Sequence, residues 1–381
     1  MNKVMSTLNT GNISGDPSFN TTGAVKLPVG STGQRPGSPR EGDLRYNNSI
    51  SQLEIYANGL WHAIGGVLSP FSATFYSLFS SPNRTAPTSV GSYYNSSPLS
   101  GNISLSGGKQ AWSVPSSGWW RFNAYGAQGG TNQYYQGGGG ARIQGDFFLE
   151  QGEVINVLCG SAGVGPNYED CDCGGGGGTY VVKASGNNVS DILLIAAGGG
   201  GASNGGFNSQ GCGNRTQNTT TGACGKDGSA SVNGLDGRAG RGGTGGYAGD
   251  RALSGSNRGN PGGGFYGGGF SYSQNPTWSE TRAGQSYMDG SLGGTANQSD
   301  SFGGFGGGGG GHGNCFISGG GGGGYNGGGC EVQYSSYHGG QGGGSINNGI
   351  NKVGQSGVNY NGNAAQAGNQ GYCEVTKISG G

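Results

Sequence analysis

Apolar and β-branched residues form short runs along the chain, separated by polar or glycine-rich segments. The run at 71–79 reads FSATFYSLF, and the runs at 153–159 and 192–197 are apolar almost throughout, as is typical of buried strands. Further candidate strands cover residues 102–105, 109–112, 119–125, 141–149, 179–183 and 372–378. No segment of useful length has the period of about 3.6 residues that marks a helix. The pattern therefore predicts an all-β fold, a β-sandwich interrupted by long glycine-rich insertions.

The N-terminal region carries a separate, smaller pattern of strands and turns. Residues 43–46, 52–56 and 60–61 have strand character, and the Asn58-Gly59 pair is a strong hairpin signal between the last two. Residues 1–24, rich in Ser, Thr and Asn, are expected to form an extended tail. A meander this small buries little surface alone, so we expect partner chains to complete its core.

Residues 25–66 also carry a recognisable arrangement of fixed positions, LPVG, QRPG, GDLRYN, LEIY and the NG-WH-IGG ending. This region resembles a short module of bacteriophage tail fibres and other virion-attached fibre proteins. The resemblance implies that residues 25–66 attach the chain to the virion. The candidate attachment residues are Arg35, Arg45, Tyr46, Glu54, Tyr56 and Trp61. The alternative is an ordinary β-meander of a cellular protein.

Glycine dominates the remainder of the chain. It supplies 95 of the 381 residues, and 80 of them follow residue 120, many in uninterrupted tracts. Such a composition is common in disordered chains, but those are poor in aromatic residues, which make up 10% here. Glycine loses more conformational entropy on ordering than any other residue. The tracts are therefore either floppy or held by packing that only glycine allows.

Extended helices of about three residues per turn are one such packing. Their backbone N–H and C=O groups all point outward, and without a Cβ they can approach closely enough to satisfy one another. Phe302 and Phe305, three residues apart at the edge of a tract, fit side chains directed away from such a bundle. The tracts thus predict a bundle of polyglycine II helices inserted in the sandwich.

The order of strands and tracts over residues 112–378 resembles the glycine-rich domain of the anaplastic lymphoma kinase receptor family. The matching landmarks include WWRFNAYGAQGG, GGGGGTYVVKA, ILLIAAGGGGAS and YCEVTKI. The resemblance implies a TNF-like or jelly-roll β-sandwich carrying polyglycine helices, and phage adhesin tips built from such helices are a second analogue. The chain contains no kinase motif, so signalling is not part of this expectation. Residues 67–381 would form the head.

Charge and residue chemistry exclude several classes of function. Lys and Arg total 19, balanced by 19 Asp and Glu, so there is no basic surface for nucleic acid. No apolar run reaches the length of about 18 residues needed to cross a membrane. His62, His312 and His338 lie far apart in sequence, and no motif predicts catalysis. We therefore expect no enzyme activity, no cofactor, no metal and no membrane insertion.

The eight cysteines permit disulfides without fixing their connectivity. Short loops favour the pairs Cys212 with Cys224 and Cys315 with Cys330, whereas Cys159 and Cys373 lie in apolar strands and suit buried thiols. Disulfides would form outside the reducing cytosol in which a phage protein is made.

Together these patterns predict a homotrimeric phage tail fibre or receptor-binding adhesin, functioning in the virion. Its partners would be further copies of itself, phage tail or adaptor proteins, and a host cell-surface glycan or outer-membrane protein. Recognition would fall to aromatic loops between glycine tracts, because loops on rigid scaffolds commonly carry binding. The candidate residues are Tyr134, Tyr135, Tyr168, Phe265, Tyr266, Phe270, Tyr272, Trp278, Tyr287, Phe316, Tyr325, Tyr334, Tyr337 and His338. The alternatives are a structural virion fibre without a receptor role and a secreted cellular ligand-binding module.

Overall fold

β-strands are the main regular structure in the computed structural model. The model describes residues 27–50, 52–64, 71–132, 135–165, 172–184, 186, 188–203, 226–231, 242–249, 259–269, 283–296, 301–311, 319–330, 339–359 and 369–380. Over these residues the only helical elements are two short 3-10 turns, Thr32–Gln34 and Val189–Asp191. The prediction of an all-β fold is thus confirmed. The chain forms two compact units, Met1–Ser69 and Pro70–Gly381.

The first unit contains one small sheet. Its strands are β1 (Val29–Gly30), β2 (Leu44–Asn47), β3 (Gln52–Ala57) and β4 (Leu60–Ile64), hydrogen-bonded in that order. The last three form the antiparallel meander that the sequence pattern predicts, while β1 adds in parallel to β2. Asn58 and Gly59 both have positive φ, 52° and 76°, as a tight turn between β3 and β4 requires.

The second unit contains two larger antiparallel sheets. The strands are β5 (Ser72–Tyr76), β6 (Ile103–Ser106), β7 (Lys109–Ser113), β8 (Gly118–Tyr125), β9 (Gly140–Leu149), β10 (Val154–Leu158), β11 (Thr179–Lys183), β12 (Ile192–Ala196), β13 (Ile346–Asn347), β14 (Ile350–Asn359) and β15 (Tyr372–Gly380). One sheet has the order β14-β9-β8-β15-β5, and the other has the order β13-β12-β11-β10-β7-β6.

The two sheets face each other across a core rich in aromatic side chains. Alternation along β8 directs Trp120 and Phe122 inward, and both are fully buried. Trp112 of the opposite sheet packs edge-on against Trp120 at 5.2 Å between ring centroids. Each fully buried side chain of this size contributes about 1.5–3 kcal/mol relative to exposure. This core makes the second unit a β-sandwich.

The long strand β14 is the main element that the sequence pattern does not reveal. Its sequence INKVGQSGVN has no clear alternation and contains two glycines. Almost all of its residues are exposed, because it lies at the edge of the sheet and pairs only with β9. Backbone hydrogen bonds rather than buried side chains hold β14 in place. Its sequence therefore shows no hydrophobic periodicity from which the strand could be predicted.

The glycine tracts hydrogen-bond to one another in a regular pattern. In the segment 197–203, the N–H groups of Gly198 and Gly201 donate to Gly323 and Gly320, both at 2.8 Å. The N–H groups of the following residues, Gly199 and Ala202, likewise share another neighbour, the segment 126–132. Residues three apart therefore contact the same neighbouring segment.

Six segments surround this tract and exchange backbone hydrogen bonds with it. They are 126–132, 137–141, 172–178, 226–231, 319–324 and 339–344. The segment 172–178 repeats the behaviour: the N–H groups of Gly174 and Gly177 donate to Val164 and Ser161, in one shared neighbour. The buried backbone polar groups of both segments are thus satisfied by surrounding segments rather than by their own.

Close approach explains why these positions are glycine. A Cβ on Gly200 would overlap the carbonyl group of Gly340, and a Cβ on Gly199 would overlap that of Gly138. Real side chains do not tolerate such contacts with backbone atoms, so the hydrogen-bonded spacing excludes every other residue. We call this hydrogen-bonded array of glycine-rich segments the glycine bundle.

Candidate functional site

The structure describes five of the fourteen aromatic and histidine residues proposed as receptor contacts. Those outside the described residues are Tyr134, Tyr168, Phe270, Tyr272, Trp278, Phe316, Tyr334, Tyr337 and His338. Tyr135 is half-buried, and its backbone N–H donates to the side chain of Asn132 at 2.7 Å. The other four, Phe265, Tyr266, Tyr287 and Tyr325, come together beside one sheet of the sandwich.

Three of these four side chains fill a buried layer between the glycine bundle and the six-stranded sheet. Phe265 stacks on Tyr287 at 5.0 Å with an angle of 11° between the rings, and Tyr287 lies 5.0 Å from Tyr180 of β11. Phe265, Tyr287 and Tyr325 are 0%, 2% and 6% exposed. In this conformation they offer a receptor almost no surface, and they anchor the bundle to the sheet.

The polar groups of this layer contact the glycine bundle and a neighbouring lysine. The Tyr180 hydroxyl lies within hydrogen-bonding distance of the carbonyl oxygens of Gly306 and Gly324, at 3.2 and 3.1 Å, and so links two segments of the bundle. Burial raises the pKa of both Tyr180 and Tyr287, so both hydroxyls stay protonated at neutral pH. Lys109 places its Nζ 4.0 Å from the ring centroid of Tyr287, and burial lowers the pKa of that lysine.

Tyr266 differs from its neighbour Phe265 because the two occupy a sharp turn. The N–H of Gly264 donates to the carbonyl of Gly267 at 2.9 Å and closes this turn. Phe265 then points into the buried layer, whereas Tyr266 packs across it at 4.9 Å, with the rings at 85°. Because of this turn, the side chain of Phe265 is buried against the sheet, whereas that of Tyr266 lies half-buried at the surface.

Beside Tyr266 lies Tyr247, which is 59% exposed. Their ring centroids are 6.4 Å apart, and the N–H of Tyr266 donates to the carbonyl of Gly246 at 2.7 Å. Gly246 has a φ of 89°, and a side chain there would collide with the Tyr266 ring. We call Tyr247 and Tyr266 the tyrosine patch. Sequence reasoning missed Tyr247, although its GGYAG setting resembles that of the proposed contacts within the tracts.

The tyrosine patch presents two amphipathic rings on a backbone fixed by the glycine bundle. No protein-family model matches the chain, and no curated protein matches it in sequence. Among the described residues, no group of three or more His, Cys, Asp and Glu side chains is arranged to hold a metal ion. The same part of the chain contains no helix that is long and apolar enough to cross a membrane.

In the first unit, the proposed attachment residues surround a buried carboxylate. Glu54 is fully buried and accepts hydrogen bonds from Nε of Arg35 at 3.2 Å and from Nη2 at 2.6 Å. Asn47 donates to the same carboxylate at 3.0 Å, and Nη1 of Arg45 lies 3.6 Å away. The Arg35 hydrogen bond lowers the pKa of Glu54 and outweighs the opposing effect of burial. The first unit thus contains a cluster of charged side chains around Glu54, formed with Arg35 and Arg45.

The aromatic attachment candidates lie on the strands that surround this charged cluster. Tyr56 and Trp61 are directly paired across β3 and β4, with ring centroids 5.5 Å apart. The Arg45 guanidinium carbon lies 5.9 Å from the Trp61 ring centroid. Tyr46 is 36% exposed and Leu60 is 65% exposed. This unit therefore presents apolar surface around a charged interior.

The structure describes few of the cysteines proposed for disulfides. Cys212, Cys224 and Cys315 lie outside the described residues, and Cys330 is buried. Cys159 and Cys373, expected to be buried thiols, are indeed free and buried within the sandwich. Burial is the main cause that raises the pKa of both thiols.

Proposed function

We propose that this chain is a homotrimeric bacteriophage tail fibre or receptor-binding adhesin of the virion. The first unit attaches it to phage tail or adaptor proteins, and the second unit is the head that binds the host. The role is one of binding rather than catalysis. The observation that carries the proposal is the tyrosine patch, in which exposed Tyr247 and half-buried Tyr266 lie side by side on a backbone fixed by the glycine bundle.

The proposal includes a finer description of the head, namely a TNF-like or jelly-roll sandwich carrying polyglycine II helices. The alternation of hydrogen-bond partners every three residues supports the helices, because polyglycine II has about three residues per turn and no internal hydrogen bonds. Six neighbours around the segment 197–203 are what side-by-side packing of such helices provides. A bundle of this kind suits an extracellular fibre, since few of its backbone segments are open to proteases.

The tyrosine patch would contact a host glycan or an outer-membrane protein. Tyrosine offers apolar ring surface together with a hydroxyl, and it loses little side-chain entropy on binding. Tyr247 is exposed at the end of a turn in which Gly245 and Gly246 both have positive φ, so binding would need little rearrangement.

Attachment through the first unit is supported by its exposed apolar side chains, Tyr46 and Leu60 among them. In a trimer these side chains would pack against partner copies or against an adaptor protein and supply the core that one small sheet lacks. Light scattering should then give a native mass of about 114 kDa, three times the 37.9 kDa of one chain. A native mass of one chain would refute the trimer.

Adsorption to bacteria tests the receptor-binding role. Labelled full-length protein, titrated on a panel of bacterial strains in a flow cytometer, should bind at least one strain saturably. Binding should weaken by about tenfold or more in Tyr247→Ala/Tyr266→Ala. Phe148→Ala is the matched control, because it alters an exposed aromatic side chain of the second unit outside the tyrosine patch and should leave binding unchanged. Proteinase K or periodate treatment of the cells then distinguishes a protein receptor from a glycan.

The burial of Phe265, Tyr287 and Tyr325 favours a second candidate, a structural virion fibre without a receptor role. Such a fibre would need aromatic residues only to hold the bundle to the sheet. It would assemble as a trimer and bind no strain in the panel. A saturable interaction that the double variant leaves intact would contradict the role given to the tyrosine patch.

A further inference from the structure

An open cleft of about 390 Å³ lies against the outward face of the five-stranded sheet, where β5 ends and β15 begins. None of its lining residues belongs to the tyrosine patch or to the proposed receptor contacts. Its lining includes six polar or aromatic side chains, those of Thr74, Tyr76, Tyr93, Gln370, Tyr372 and Glu374. Three of these six are tyrosines, and one is a carboxylate.

Strand register places these groups side by side. Tyr76 of β5 pairs directly with Tyr372 of β15, and Thr74 pairs with Glu374. The residues between them along each strand, such as Phe75 and Cys373, point into the buried core. Alternation therefore directs two aromatic and two polar side chains to the same outward surface.

Hydrogen bonds to two buried side chains fix the end of β5. The N–H of Tyr76 donates to the Tyr94 hydroxyl at 3.1 Å, and its carbonyl accepts from Nε2 of Gln110 at 2.8 Å. Tyr94 also donates to Oε1 of Gln110. Burial, the largest of several causes, raises the pKa of Tyr94, so its hydroxyl remains a donor. The backbone that carries the Tyr76 ring is thus held before any ligand arrives.

The aromatic walls are supported in the same way. Tyr372 stacks on Tyr125 of β8 at 4.2 Å with an angle of 13° between the rings. Tyr76, 43% exposed, leans against Tyr93, 41% exposed, at 5.9 Å between centroids. Each exposed face therefore belongs to a ring whose orientation is set by packing against another ring.

The polar groups of the cleft are only partly engaged. Oε2 of Glu374 accepts from Asn123 at 2.6 Å, and Oε1 of Gln370 accepts from the N–H of Ala162 at 3.0 Å. Within the described part of the chain, Oε1 of Glu374 and Nε2 of Gln370 make no protein hydrogen bond. The cleft accordingly offers one charged acceptor and one neutral donor to a ligand, both on side chains that are already anchored.

We propose that this cleft binds a neutral saccharide of one or two sugar rings. The C–H face of a sugar ring packs on tyrosine, a vicinal hydroxyl donates to Glu374, and another hydroxyl accepts from Gln370. The carboxylate disfavours uronic and sialic acids through like-charge repulsion. The free amide donor of Gln370 distinguishes the cleft from an aromatic cage for a quaternary ammonium group, which needs no donor.

This inference goes beyond the proposed attachment function and does not rest on it. The cleft lies on the sandwich rather than on the glycine bundle, and it uses different residues. A protein that failed to adsorb to any strain would still bind sugar here, and loss of sugar binding would leave the tyrosine patch untouched.

Saturation-transfer NMR on the full chain tests the cleft. The probes are D-glucose, D-galactose, D-mannose and N-acetyl-D-glucosamine, with D-glucuronic acid and choline as comparison ligands. We expect transfer to the ring C–H protons of at least one neutral sugar. The signal should fall by about fivefold or more in Tyr76→Ala and in Glu374→Gln. Tyr76→Phe, which keeps the ring, and Tyr247→Ala, an exposed tyrosine outside the cleft, should retain it.

Several results would overturn the proposal. These are no transfer to any of the four neutral sugars, equal transfer in Tyr76→Ala, or stronger transfer to glucuronic acid or choline. A fourth is a Tyr76→Ala variant whose native mass changes while its sugar binding does not. That result would show that this face of the sheet contacts another copy of the chain rather than a sugar. Glu374 is exposed, so Glu374→Gln keeps the fold and remains informative even if Tyr76→Ala does not fold.

Discussion

Replacing Gly200 by alanine is expected to destabilise the second unit by about 2–4.5 kcal/mol. The new methyl group would overlap the carbonyl of Gly340, and the segment 339–344 would have to move away. That movement lengthens two backbone hydrogen bonds, from Gly340 to the carbonyl of Gly201 at 2.8 Å and from Lys226 to the carbonyl of Gly340 at 2.9 Å.

The magnitude follows from three terms. Two weakened hydrogen bonds cost about 1 kcal/mol each, and forcing a methyl group into a packed interior costs about 1–3 kcal/mol. Alanine lowers the conformational entropy of the unfolded chain relative to glycine, and this offsets about 0.4–1 kcal/mol of the loss. For a unit of this size, each kcal/mol corresponds to a shift in Tm of about 1.5 °C, so we expect a decrease of about 3–7 °C.

Gly268→Ala is the matched control within the same unit. A Cβ on Gly268 would lie 3.4 Å from its nearest neighbour, which is an ordinary contact, and its φ is not in the left-handed region. It should therefore leave the Tm unchanged or raise it slightly. Near-UV circular dichroism of the buried Trp112 and Trp120 follows unfolding of this unit. A Tm for Gly200→Ala equal to or above that of Gly268→Ala would refute the packing argument.

Three further measurements test buried groups elsewhere. Glu54→Gln should destabilise the first unit by about 2–3 kcal/mol in urea unfolding, because it leaves Arg35 without its buried partner. Since the pKa of Glu54 is lowered in the folded state, the wild-type advantage should be complete at neutral pH and disappear as the pH falls below about 4; a difference that persists in acid would contradict it. Tyr94→Phe should cost about 1–3 kcal/mol by leaving buried hydrogen-bonding groups unsatisfied, and an unchanged Tm would argue against that network. Cys159 and Cys373 should resist iodoacetamide in the native protein and react in urea, as read from labelled peptides by mass spectrometry; labelling of the native protein would show that the sandwich opens.

The strands of the sandwich core were predictable because their signal is local. The segment 119–125 alternates between large apolar and polar residues, and β8 covers Gly118–Tyr125. The segment 192–197 is apolar throughout, as suits a strand buried on both faces, and β12 covers Ile192–Ala196. The edge strand β14 lacks such a signal because backbone pairing alone holds it.

The sites were less predictable because burial of a side chain depends on distant partners. Phe265 and Tyr266 look equivalent in sequence, but Phe265 stacks on Tyr287 in the buried layer while Tyr266 stays at the surface. The cleft is harder still to find, since Tyr76 and Tyr372 lie almost 300 residues apart and meet only through strand register. Motif spacing carries no information about such a pair.

The position of β15 has a consequence for the order of events during synthesis. Residues Tyr372–Gly380 fill the place between β8 and β5, and the carbonyl of Asn369 accepts from the N–H of Gln128. The five-stranded sheet and that corner of the glycine bundle cannot be completed until residues 369–380 have emerged from the ribosome. Such long sequence separations make folding slow. β5 and one edge of β8 remain unpaired while more than 200 further residues are synthesised. Expression should therefore depend strongly on temperature and chaperones, whereas the finished protein should unfold in few independent steps.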